Sequence, residues 1–211
     1  MTLITQLSPD KNVHCDTIGT MGTVEILGFI TGVLCVFLAI RENIWNWPIG
    51  IANNIFYLIV FWQAKLYADS GLQLFYMSIA IYGWWFWLRR GERRSGTSEI
   101  RTISPRMAWA LSLVTIVSAV LLHLILSRYT DSTVPWGDGI TTALSLTAQF
   151  MLGRKLLENW VVWMVADVIY IALYCYKHLY LTAVLYAIFF ALCVSGYTRW
   201  RATLRAEVLP V

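Results

Sequence analysis

Apolar residues gather in seven long stretches of this chain, at 23–40, 47–64, 72–88, 107–126, 136–152, 160–176 and 181–198, separated by polar or basic connections. A helix needs about 20 mostly apolar residues to cross a bilayer, with roughly 17 as the floor. The pattern predicts an all-α integral membrane protein with seven transmembrane helices. Turn chemistry agrees: Pro48, Pro105 and Pro135 each fall at the first turn of a segment, where a missing N–H costs nothing. Trp136 places an indole at a membrane interface.

The polar and aromatic positions repeat. Asn46-Trp47 returns as Asn159-Trp160, an offset of 113 (159 − 46), and the matches continue without a gap. Arg41 meets Arg154, Tyr57 meets Tyr170, Leu66-Tyr67 meets Leu179-Tyr180, Gly83 meets Gly196 and Trp87 meets Trp200. At a further position Asn54 meets Asp167. Three helices, one connector and three more make the fifth helix run in the direction of the first. The expected fold is therefore two parallel three-helix repeats joined by a linker helix (3+1+3), related by an axis along the membrane normal. The domain layout that follows is a polar external tail over 1–21, a single transporter domain over 22–201 and a cytoplasmic tail over 202–211. Within the domain, repeat one covers 22–90, the linker helix 105–127 and repeat two 135–201. Carriers built from two like halves usually hold their substrate between them near mid-bilayer.

Composition sharpens the class. The chain is 58% hydrophobic and 13% charged with mean hydropathy +0.62, and a soluble domain carries about twice that charge fraction. Arg89, Arg90, Arg93, Arg94, Arg101 and Arg106 crowd the connection between the third and fourth segments, which the positive-inside rule places in the cytoplasm. Seven spans then put the N-terminus outside and the C-terminus inside. With Arg41, Arg154, Lys155, Arg199, Arg201 and Arg205 this gives 12 of 16 basic residues inside; Lys11, Lys65, Arg128 and Lys177 fall outside. The net charge of +4 is thus a topology signal and implies no nucleic acid, although the arginine run suits membrane lipid. The first segment reads as a retained helix: Asp16 precedes it, Glu25 stands near its start, and no basic n-region or cleavage site accompanies it.

Chemistry outside the stripes is sparse. Cys35, Cys175 and Cys193 lie within helices, and Cys15 stands beside His14 in the tail with no metal-ligand spacing. His123 reads as a hydrogen-bonded packing residue in preference to a proton relay. No phosphate-binding, dinucleotide, nucleophile-elbow or zincin pattern is present. No cofactor or metal and no enzymatic activity are expected.

In the sixth segment Trp160, Trp163, Asp167, Tyr170 and Tyr174 are spaced 3-4-3-4, and in the second Trp47, Gly50, Asn54, Tyr57 and Phe61 share that spacing. In the third, Gln73, Tyr76, Ala80, Gly83 and Trp87 match Tyr186, Phe189, Cys193, Gly196 and Trp200 of the seventh. Such spacing places each set on one helix face. For the Gly and Ala positions, and for Gly28-x-x-x-Gly32, helix–helix packing is the preferred reading. Asp167 is different. A carboxylate this deep costs a few kcal/mol and marks a functional site by default, and no basic residue lies at its depth; the alternative is a hydrogen-bond staple to Tyr57 or Asn54. Trp160 and Trp163 beside it make a stacking platform, each stacked base being worth about 1–3 kcal/mol in nucleic-acid complexes, with a cation–π gain for a charged ring. Trp160 could instead be an interface anchor. Asn53, Asn54 and Gln73 bring amides suited to ribose hydroxyls or a carboxamide. The candidate substrate-binding set is Trp160, Trp163, Asp167, Asn54, Gln73, Tyr170, Tyr76 and Asn53, and it suits a small, flat, polar, cationic solute.

These residues carry a resemblance. Trp47-Pro48-Ile49-Gly50, then 66–73 (Leu-Tyr-Ala-Asp-Ser-Gly-Leu-Gln), then Tyr82-Gly83-Trp84-Trp85, and Glu158-Asn159-Trp160-x-x-Trp163 with Asp167, Tyr170, Tyr174 and Leu185-Tyr186 resemble the PnuC vitamin-transporter family from about residue 25 to 201. The resemblance implies a bacterial inner-membrane carrier, similar in general plan to the SWEET sugar transporters. It implies import of nicotinamide riboside by facilitated diffusion, trapping by a cytoplasmic kinase, and a homotrimer. It also implies that Trp160, Trp163, Asn54, Gln73 and Asp167 contact the substrate. Relatives carry thiamine, riboflavin or deoxynucleosides, and thiamine's thiazolium is also a flat cation, so the substrate stays open between them. A proton-coupled symporter through Asp167, a non-transporting membrane subunit and an intramembrane enzyme are the rival classes. Converging catalytic groups are lacking for the last, and the unpaired Asp167 opposes the second.

Overall fold

The computed structural model describes residues 30–63, 67–91, 100–130, 134–178 and 180–208. The polar tail 1–21 with Lys11, His14 and Cys15, the start of the first segment with Glu25 and Gly28, Lys65, Leu66, Arg93, Arg94, Leu179 and the last three residues lie outside the described residues. Those described form seven helices: α1 (Ile30–Ile40), α2 (Asn46–Gln63), α3 (Tyr67–Gly91), α4 (Pro105–Tyr129), α5 (Pro135–Gly153), α6 (Asn159–Tyr176) and α7 (Tyr180–Val208).

Local sequence explains the ends. Ser104 caps α4 by accepting from the Met107 amide at 3.4 Å, Pro105 takes the first helical position, and the Thr130 hydroxyl closes the other end on Leu126 O at 2.6 Å. Among the described residues three helices are long and apolar enough on their own to cross a bilayer: Pro105–Tyr129 with mean hydropathy 2.3, and Asn159–Tyr176 and Thr182–Ala206 with 1.4 each. Two helices outrun the apolar stretches. α3 starts at Tyr67, before the segment expected from 72, and α7 runs to Val208 through Arg199, Arg201 and Arg205. Hydropathy reports where lipid contact ends, whereas Ala, Leu, Arg and Glu sustain a helix in water as well.

α2 packs on α3, α6 on α7, α4 on α5, and α5 also on α6 and α3. α4 buries almost nothing: Ala119 is its buried residue, while Trp109, Leu113, Ile116, Leu121 and Leu124 are exposed, an all-round apolar surface suited to lipid. Its seam with α5 is tight at Gly139, where a Cβ would stand 3.1 Å from Ala119 O, and is joined by Thr115 and Thr147 hydroxyls 2.7 Å apart. His123 packs there by stacking on Trp136 at 3.8 Å, in place of the expected hydrogen bond; its buried Nδ1 has no partner among the described residues.

The same small contacts recur 113 residues on. The turn after α1 has Asn43 N donating to Leu38 O at 2.9 Å, and the turn after α5 has Leu156 N donating to Met151 O at 3.0 Å. Each turn contains a left-handed residue, Glu42 with φ 53° and Lys155 with φ 55°. Trp47 meets Trp87 edge-on at 5.4 Å, and Trp160 meets Trp200 edge-on at 5.4 Å. Glycine makes room for both: a Cβ on Gly83 would run into the Trp47 ring, and one on Gly196 would come within 2.7 Å of Trp160. The indoles then cross over. Trp87 Nε1 donates to Gly153 O at 3.1 Å, Trp200 Nε1 to Ile40 O at 3.2 Å, and residues 40 and 153 are themselves counterparts. Lys155 Nζ lies 3.0 Å from Glu42 Oε2, a half-sheltered ion pair between residues 113 apart.

The connections gather by end. Arg101 exchanges backbone hydrogen bonds with Lys155 and Leu157, and Glu158 accepts from the Ile103 amide at 2.9 Å. The segment before α4, the α5–α6 turn and the α1–α2 turn therefore share one end of the bundle. Lys177 and Asp138, 3.9 Å apart, mark the other.

Candidate functional site

Six helices surround a cavity of about 210 Å³, and α4 contributes nothing to its lining. All eight candidate residues reach it: Asn53 and Asn54 from α2, Gln73 and Tyr76 from α3, Trp160, Trp163, Asp167 and Tyr170 from α6. The 3-4-3 spacing on α6 turns its four members to one side, and the crossing of α6 on α7 buries Asp167, Tyr170 and Trp160 almost completely.

Asp167 is only 3% exposed, and its Oδ2 accepts from the Cys193 thiol at 3.6 Å. The alternative staple to Tyr57 or Asn54 is replaced by this weaker donor on α7. Among the described residues lining the cavity there is no Lys or Arg, so the acid meets no compensating cation from them. A buried carboxylate without a cationic neighbour favours a ligand that brings positive charge with it.

The two tryptophans differ. Trp160 touches the cavity, but Gly196 covers its ring, Trp200 takes its edge, and it is only 2% exposed. Its counterpart Trp47 is held in the same way by Gly83 and Trp87. Stacking capacity at Trp160 is thus largely spent on the fold, leaving Trp163, half-buried, as the platform.

The α2–α3 wall is made of amides. Gln73 is buried at 3% exposure, Asn54 lines the cavity, and Asn53 donates to the Thr31 hydroxyl. Toward one end lie phenols: Tyr170 and Tyr186 with ring centres 4.4 Å apart, Tyr174 5.2 Å from Tyr186, and Ser145 Oγ 3.5 Å from the Tyr170 hydroxyl. Tyr76 joins them at the cavity wall.

Sequence reasoning passed over Cys35 on α1 and Ser145 and Gln149 on α5, which also line the cavity. The signal was present in α5, where Thr141, Thr142, Ser145 and Ala148 are all buried on a small, polar face. Gly83 and Gly196 are packing glycines. Gly50 is not: a Cβ there would meet nothing nearer than Cys35 Sγ at 4.0 Å.

The profile of the nicotinamide mononucleotide transporter family matches residues 22–202. The chain belongs to that family. The nicotinamide riboside transporter PnuC of Escherichia coli (strain K12) is 27% identical over 201 residues, covering 84% of each chain. The riboflavin/roseoflavin transporter RibM of Streptomyces davaonensis is 24% identical over 189 residues, covering 89% of this chain and 88% of its own. The crystal structure of the vitamin B3 transporter PnuC superimposes with a TM-score of 0.67 at 22% identity, over 90% of this chain and 85% of that one. The family is one of membrane transporters, and the all-helical, multi-pass fold agrees with it.

Proposed function

We propose that this protein imports nicotinamide riboside by facilitated diffusion. The observation that carries the reading is Asp167, buried beside Trp163 on a cavity wall whose described residues include no basic side chain. A pyridinium ring stacks on the indole and brings the charge that the carboxylate lacks. Amides from Asn54 and Gln73 face its ribose hydroxyls and carboxamide. Similarity to proteins named as nicotinamide riboside transporters supports the same solute.

The architecture we infer is two parallel three-helix repeats joined by α4, with seven spans in the bacterial inner membrane. Supporting it are the recurring turns, the crossed tryptophan hydrogen bonds and the Glu42–Lys155 pair, each at the same 113-residue offset. A residue that pairs with its own counterpart sits on the relating axis. Transport is then rocking of the halves about the cavity. The end of the bundle holding Arg101, Arg154 and Lys155 is the cytoplasmic one by the positive-inside rule, and the N-terminus is outside. A cytoplasmic kinase traps the product, and the carrier works as a homotrimer.

Riboflavin is the second reading, favoured by similarity to RibM. Uptake of labelled nicotinamide riboside into liposomes holding only this protein, without an ion gradient, tests the proposal. Uptake that equilibrates and resists excess unlabelled riboflavin and thiamine is expected. Strict dependence on a proton gradient would replace diffusion by symport, and suppression by either competitor would move the substrate.

A further inference from the structure

Gly50 lies in the second turn of α2. Glycine inside a helix weakens it and persists where backbone geometry or close packing requires it. Neither requirement holds at Gly50: its φ lies outside the left-handed range, and an added Cβ meets only Cys35 Sγ, at the ordinary contact distance of 4.0 Å. Gly83 and Gly196 differ sharply, since each presses on an indole. What the missing side chain at Gly50 leaves open is the cavity, which Gly50 lines.

Its counterpart 113 residues on is Trp163, which lines the cavity as well. Among the other counterpart pairs in the lining, Trp47 with Trp160 and Tyr57 with Tyr170 keep their character, Asn54 with Asp167 changes only in charge, and Val36 with Gln149 and Gln73 with Tyr186 change in polarity or shape. At 50 and 163 the change is from no side chain to the largest one. A twofold relation between the halves sets these two positions across the cavity from each other.

We propose that Gly50 is the specificity-determining residue for ring size: with Trp163 it forms a slot walled by an indole on one side and bare helix backbone on the other. The proposal rests on the transport reading above and on the twofold relation of the halves. One flat ring fills such a slot, because stacked carbon surfaces approach to about 3.5–4.0 Å, and a methyl group on Gly50 intrudes on that space.

The test uses the full chain in liposomes, with Gly50→Ala and Gly50→Leu measured against nicotinamide riboside, thiamine and riboflavin. Gly50→Ala is expected to keep or raise the unfolding midpoint, since alanine is the better helix former. It should raise KM about tenfold, the order of a mild overpacking, with turnover unchanged. The wider fused rings of riboflavin should suffer more than a single ring. Gly50→Leu should abolish uptake while remaining folded. Should the wild type carry thiamine or riboflavin instead of nicotinamide riboside, the substrate assignment falls, and the ring-size proposal is decided by KM for the solute carried. Unchanged KM in Gly50→Ala, a lowered unfolding midpoint with unchanged KM, or an equal loss of turnover for every solute would overturn the proposal.

Discussion

The seam where Trp47 meets Trp87 and the one where Trp160 meets Trp200 share one centroid distance, 5.4 Å, and nearly one interplanar angle, 84° against 88°. A few ångströms away, the cavity walls have parted company. Where one half presents Gly50, Asn54 and Gln73, the other presents Trp163, Asp167 and Tyr186. Packing tolerates one solution and both halves retain it, because a close-packed seam loses stability with any change of volume. On the proposed function the solute has a ring at one end and a sugar at the other and so has no twofold symmetry, and the walls that would grip it differ. On that reading retention marks what the fold requires, and divergence marks what the solute requires.

Changes to the divergent wall should cut deepest. Asp167→Asn removes the charge but keeps the shape, and uptake of a cationic solute should fall about 10–100-fold, as for a lost charged hydrogen bond of about 1.5–3 kcal/mol. Trp163→Ala should impair uptake comparably through lost stacking. Both should leave the folded yield intact, and normal uptake by the two purified variants would sink the site assignment. The retained seam comes next. Gly83→Ala and Gly196→Ala drive a methyl into Trp47 and Trp160, and each should destabilise by about 1–3 kcal/mol. Thermal unfolding should show similar losses for the two; a large loss in one alone would deny the equivalence of the seams. Smaller still, Trp87→Phe and Trp200→Phe each strand a buried carbonyl, of Gly153 or Ile40, at about 1 kcal/mol. The Glu42–Lys155 pair is partly exposed and should contribute about 0.2–1 kcal/mol. Its charge-swapped double variant, Glu42→Lys with Lys155→Glu, should recover most of what either single change loses; no recovery would remove the pair from the contacts that join the two turns.

Much of this was legible in the chain. The helix count and the α6 stripe follow from spacing, because a helix face is fixed by the 3-4 rhythm alone. Less visible was which tryptophan is free to stack: Trp160 and Trp163 look alike until Gly196 and Trp200 close on the first. Gly50 reads like Gly83 in one dimension, and only the space around each separates them. Cys193 as the partner of Asp167 depends on the pairing of α6 with α7, which residue spacing within α6 does not encode. Ser145 and Gln149 were masked by a small-residue face that resembles ordinary helix packing. The Glu42–Lys155 pair escaped because the two counterparts carry opposite charges and so leave no match in the repeat.

The most direct measurement compares the affinity of nicotinamide riboside with that of its reduced, uncharged form, for the wild type and for Asp167→Asn. The two solutes share size, sugar and carboxamide and differ mainly in ring charge. Preference for the cation in the wild type, cut sharply in Asp167→Asn to what stacking on Trp163 supplies, is the expected result. Equal affinity for both forms in the wild type, or a preference undiminished in Asp167→Asn, would contradict a cavity that reads positive charge through Asp167.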